Sequence, residues 1–203
     1  MDYINILKEI VPKMKMQMHS NKGIASLDKI HKVIESFDKE KLNQCPRAQL
    51  ENYFLSLLGI FLKTQELSEL FKYLCVETAT EEMVSFDKFI LLFTRKDNEK
   101  LDKKIKEMYS KLKGDNESIP YDELMKCLKI ENHPLVKVMG NTKEEAKKKV
   151  EDELTDILKE SKDVNEDAFT LYHKNLFWIM PEKSVDFWIK NIPSVWGIKV
   201  NDF

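Results

Sequence analysis

The strongest constraint on this chain is a six-residue pattern that recurs at intervals of similar length. Val84-Ser85-Phe86-Asp87-Lys88-Phe89, Ile119-Pro120-Tyr121-Asp122-Glu123-Leu124 and Val164-Asn165-Glu166-Asp167-Ala168-Phe169 superpose without a gap, and Cys45-Pro46-Arg47-Ala48-Gln49-Leu50 is a weaker fourth copy. Their first residues lie 39, 35 and 45 positions apart. Acidic residues and proline favour the first turn of any helix, so one copy marks no more than a helix start. Four copies, each between long amphipathic stretches, predict four helix–loop–helix repeats arranged as two pairs. The predicted fold class is all-α: two lobes of paired hands and an aromatic-rich C-terminal tail.

The chemistry of the loops is the next question. A calcium-binding helix–loop–helix hand has a loop of about 12 residues, with oxygens from alternate positions, a turn glycine at the sixth and a bidentate Glu at the twelfth. With each repeat's first residue at position eight, the loops run Asp38–Gln49, Glu77–Lys88, Leu112–Glu123 and Ile157–Ala168. None has an acid at both ends, and none has glycine at the turn. Lys88, Ala168 and Gln49 stand where the bidentate carboxylate belongs. A divalent ion sheds its water only where several oxygens replace it, so these loops predict calcium binding that is lost or weak. The third loop keeps the most ligand character, through Asp115, Asn116 and Glu123 after a local shift in register. No other cofactor is expected.

Composition narrows the class. Of 203 residues, 42% are hydrophobic and 33% charged, and only 5 are glycine and 6 proline, which favours helices over a turn-rich β fold. With 33 basic and 35 acidic residues the net charge is −2, and no basic cluster is large enough for nucleic acid. Lys147-Lys148-Lys149 is embedded among acids and reads as a solvated helix face. No segment approaches the ~20 apolar residues of a membrane span. Cys45, Cys75 and Cys127 are scattered and odd in number, and no secretory signal is evident, so free thiols in a reducing cytoplasm are expected.

Four segments follow: residues 1–20, a first lobe 21–95, a second lobe 96–177 and a tail 178–203. In the N-terminal segment Ile4, Leu7, Ile10 and Val11 suggest a short helix before Pro12, followed by Met14, Met16 and Met18; it either packs on the first lobe or meets a partner. Leu50, Tyr53, Phe54, Leu57, Leu58 and Phe61 are read as the inner face of the helix that Pro46 starts. Ser85 and Asn165 are expected helix caps, and Thr142 with Glu145 a capping box. Arg95-Lys96-Asp97-Asn98-Glu99-Lys100 forms the joint between lobes, and Asn132-His133-Pro134 through Asn141 a longer connection. His133 and His173 are taken as capping or surface residues. The tail gathers all three tryptophans, Trp178, Trp188 and Trp196, with Phe187. Such a surface either folds back onto the second lobe or docks on a partner. No phosphate loop, nucleophile elbow or metalloprotease helix occurs, which points to a non-enzymatic protein.

Gly23-Ile24, Leu70-Phe71 with the repeat from Val84, Asn132-His133-Pro134 with Thr142-Lys143-Glu144-Glu145, then Phe169, Leu171, Tyr172 and Trp196, occur in an order that resembles the calcyphosine family of EF-hand proteins over residues 22–203. The resemblance implies two EF-hand lobes and, in intact members, calcium binding. Relatives with degenerate hands resemble axonemal components of cilia and flagella. It therefore implies a structural or adaptor role there, with tubulin or other axonemal microtubule proteins as partners. The alternative is a calcium sensor acting mainly through the third hand.

Overall fold

The computed structural model describes residues 6–77, 82–94, 98–181 and 184–199. Ile4, residues 78–81 of the second loop and Arg95-Lys96-Asp97 of the expected joint lie outside the described residues. The chain is 69% helix and 7% strand, an all-α class. It divides into two compact units, Met1–Lys96 and Asp97–Phe203. The residues read as an N-terminal segment lie in the first unit, and those read as a tail lie in the second.

The first unit opens with a π turn, Ile6–Ile10, running directly into helix α1, Val11–Lys22. The helix expected to stop before Pro12 therefore continues past it. Pro12 falls at the junction of the π turn and α1, where it supplies no N–H to the helical ladder. Helix α2 is Leu27–Phe37, started by Ser26, whose side chain accepts from the Lys29 N–H. Strand β1, Gln44–Pro46, leads into helix α3, residues 47–57, which contains a π segment at Leu50–Phe54. Helix α4 is Thr64–Leu74, followed by strands β2, Cys75–Glu77, and β3, Glu82–Ser85, and by helix α5, Phe86–Leu91. Ser85 caps α5 as expected, accepting from the Lys88 N–H.

The three strands form an antiparallel sheet with β3 in the middle. Cys45 is the register partner of Val84 on one side, and Cys75 on the other. Within the expected second loop, Glu77 and Glu82–Ser85 are therefore strand residues. Beneath it Phe54 packs between Phe37, Phe86 and Phe89, with ring centroids 5.1–5.4 Å apart.

Helix α3 departs from expectation. Leu50, Phe54 and Leu58 are fully buried, but Tyr53 is 64%, Leu57 47% and Phe61 62% exposed. One helix side cannot hold all six, and the π segment widens the angle between the two sets. Just beyond, Gly59 adopts φ +71°, and a Cβ there would stand 2.8 Å from both Asn21 Cβ and Lys22 Cγ. Only glycine lets α1 approach this closely. Asn21 donates to the Gly59 carbonyl at 2.7 Å, and the Gln17 amide both donates to and accepts from the Phe61 backbone. Met14 and Met18 fill the contact, fully buried.

The second unit comprises helix α6, Glu99–Lys113; strand β4, Ile119–Pro120; helix α7, Tyr121–Cys127; helix α8, Pro134–Lys137; helix α9, Lys143–Leu158; strand β5, Asp163–Val164; helix α10, Glu166–Ile179; and helix α11, Val185–Val195. Strands β4 and β5 pair antiparallel with Ile119 opposite Val164. The Thr142–Glu145 capping box is present on α9, and Asn165 caps α10 through the Ala168 N–H. The expected long connection is a 3-10 turn, Ile130–Asn132, followed by α8.

Candidate functional site

The four loops are the sites the sequence singles out, and the described residues in or beside each are tied by the chain's own groups. In the first, the two Asp38 carboxylate oxygens accept from the Leu42 N–H at 3.0 Å and the Asn43 N–H at 2.7 Å. Asn43 sits at φ +57°, the left-handed conformation that asparagine tolerates and a turn glycine would otherwise supply. Its side chain donates to Asp87 at 2.6 Å, and its carbonyl accepts from the Phe86 N–H. These two bonds join the loop to the start of α5. Beside it lies a cavity of about 330 Å³ walled by Phe37, Cys45, Pro46 and Met83. Burial, with Asp38 nearby, pushes the Cys45 thiol up to about 11.

Lysine ammoniums bond to backbone carbonyls in or beside two further loops. In the second, the Lys88 ammonium donates to the Cys75 carbonyl at 3.0 Å, so the cation at the twelfth position holds a strand end. In the third, the Lys113 ammonium reaches the carbonyls of Asn116 at 2.8 Å and Gly114 at 3.4 Å. Asp115 and Asn116 are exposed, and the exposed Glu123 carboxylate is paired with Lys126 at 2.7 Å. Asp115, Asn116 and Glu123 therefore do not converge in a shared contact. In the fourth, Ser161 closes a tight turn with Asp163, and the Lys162 carbonyl accepts from the Tyr121 N–H. Among the described residues, no group of three or more His, Cys, Asp or Glu is placed to hold a metal.

The aromatic tail is folded onto its own unit. Trp188 is 2% and Trp196 1% exposed, and Trp178 is also buried. Of the four candidate partner anchors only Phe187 is open, at 60%. Trp178, Trp188 and Trp196 are correspondingly reassigned to the core, because a partner could reach them only after the tail had unfolded. The Trp196 indole N–H donates to His173 Nε2 at 2.9 Å, and His173 Nδ1 lies 2.8 Å from the Phe169 carbonyl. That pattern fixes the neutral imidazole with its proton on Nδ1. Burial holds His173 down at about 4. His133 Nδ1 accepts from the Leu135 N–H, capping α8, while its Nε2 meets the Tyr172 hydroxyl at 2.8 Å. Burial raises the Tyr172 phenol. Both histidines are fully buried, contrary to a surface placement. The end of α11 is held by the connection after α7: the Lys129 N–H donates to the Val195 carbonyl at 2.6 Å, and the Asn132 amide to the Ser194 carbonyl at 3.1 Å.

Sequence reasoning missed Lys113 and Gln17. Lys113 carries a signal in retrospect, a lysine directly before the glycine that ends its helix; Gln17 carries none. Comparison with known proteins finds no matching family model and no matching curated protein. Among the described residues no helix is long and apolar enough to cross a membrane.

Proposed function

We propose that this protein is a non-enzymatic structural or adaptor protein made of two degenerate EF-hand-like lobes. Each lobe is held in one conformation by its own side chains, and calcium binding is lost or weak. The observation that carries the reading is strand register. The four repeat positions pair two by two, Cys45 opposite Val84 and Ile119 opposite Val164, as position-eight residues do when two hands share a lobe. The Lys88 and Lys113 ammoniums and the Asp38 carboxylate support it by closing loops that a metal would otherwise organise. A hand that cannot load calcium has no trigger to open its groove, which fits a permanent fitting better than a sensor.

The assembly is taken from the resemblance to axonemal relatives of the calcyphosine family: ciliary or flagellar microtubules, with tubulin or tubulin-bound proteins as partners. The test is fractionation. A tagged copy stays with detergent-extracted axonemes and resists calcium chelators. Release with the soluble cytosol defeats the scaffold reading, and release only on chelation replaces it with the sensor.

A further inference from the structure

We infer that the outer face of α3 is a docking track for an amphipathic helix of another protein, one that carries acidic residues at the end meeting Lys22 and Lys63. Gln49, Tyr53 and Leu57 recur every fourth residue along α3 with no charged side chain among them, and Phe61 follows beyond the end of the helix, past the turn at Gly59. Tyr53, Leu57 and Phe61 are all far more exposed than the apolar residues on the other side of the same helix. At about 1.5 Å per residue the helical part of the track, from Gln49 to Leu57, is roughly 12 Å long, and Phe61 lengthens it beyond the helix end. Its far end runs into the cavity beside the first loop, which Gln49 lines and where Leu42 is 58% exposed. That hollow is lined by both apolar (Leu42, Met83) and charged (Asp38, Lys39, Glu40) side chains. A row of large side chains ending in such a hollow is the shape a helix face with spaced anchors and a polar end fills.

Phe61 is displayed rigidly. Its N–H and C=O are both taken by the Gln17 amide, at 3.0 and 2.9 Å, and Gly59 is pinned against Asn21. The backbone cannot turn to bury the ring, so the ordering cost of binding is already met there. The Met-rich helix α1 is the brace for this display.

Charge selects the occupant. Lys22 packs against Gly59, and Lys63 lies two residues past Phe61; both are exposed. The nearby Glu66 carboxylate is already engaged by Lys13 at 2.6 Å and by the Lys63 N–H. Glu51 stands two residues from Tyr53, off the track. This end of the track therefore favours an acidic partner. A second copy fits less well, because four side chains fall far short of the ~800 Å² per partner of a stable dimer.

The test uses the full chain and two labelled amphipathic peptides of about 14 residues. Both carry leucines along one face; one has Glu and the other Lys in its terminal turn. Fluorescence anisotropy at low salt should show the Glu peptide binding and the Lys peptide at least about tenfold weaker. Tyr53→Ser with Leu57→Ser and Phe61→Ser should weaken the Glu peptide about tenfold or more, with the melting curve unchanged because all three sites are exposed. Lys22→Glu with Lys63→Glu should reverse the preference. Failure of both peptides to bind, equal binding by the serine variant, or no preference between the peptides overturns the proposal. So does a dimer in sedimentation that the serine variant abolishes, since that gives the face to a second copy.

Discussion

Lowering the pH should release the tail of the second unit through one residue, His173. Folded, its imidazole accepts the Trp196 N–H on Nε2 and is held down at about 4 by burial. In the unfolded chain it titrates near 6.5. Between these values the unfolded state binds more protons than the native one, so stability rises with pH. It is fully present above 6.5 and is lost as pH falls toward 4. The gap corresponds to roughly 3 kcal/mol, a large share of a small domain's stability. All three tryptophans lie in this unit, so urea unfolding followed by tryptophan fluorescence reports on it alone. His173→Gln keeps a neutral group and cannot titrate. Carboxylates also protonate in this range, so the informative quantity is the wild-type loss between pH 7 and pH 4 minus that of the variant. That difference should approach 3 kcal/mol. A difference below about 0.5 kcal/mol would refute the reasoning, because His173 would then contribute nothing to the linkage.

Three further outcomes are expected. Millimolar calcium should leave the melting temperature unchanged, whereas a micromolar site would add about 4 kcal/mol; an upward shift abolished by Glu123→Ala would favour the sensor. Phe89→Ala and Leu124→Ala, at fully buried positions, should each cost about 3–5 kcal/mol in denaturant titrations, and costs below about 1 kcal/mol at both would overturn the register of the repeats. Gly59→Ala should destabilise the first unit by more than about 1 kcal/mol, through its positive φ and the collision with Asn21, and an unchanged melting temperature would show that α1 does not pack there in solution.

The repeats and caps were legible because they are local. Ser85, Asn165 and the Thr142–Glu145 pair sit where capping chemistry places them. The first residues of the four repeats turn out to lie in strands that the sequence reading did not predict, with Cys45 opposite Val84 and Ile119 opposite Val164. What remained hidden depends on contacts distant in sequence. The outward face of α3 could not be read because a π segment shifts the period on which the stripe was judged. The Cys75–Glu77 strand has no repeat of its own and forms against β3. His133 and His173 are polar letters in the sequence, and their burial follows from partners 39 and 23 residues away, Tyr172 and Trp196.

The lysines in the second and third loops have a consequence for signalling. A free ion fills its site according to its concentration, which a cell can raise and lower. The Lys113 ammonium is covalently attached beside the Gly114 and Asn116 carbonyls, so its effective concentration is a constant of the chain. On the proposed reading such a loop has no dose–response curve, and whatever is built on its shape inherits the same indifference to calcium.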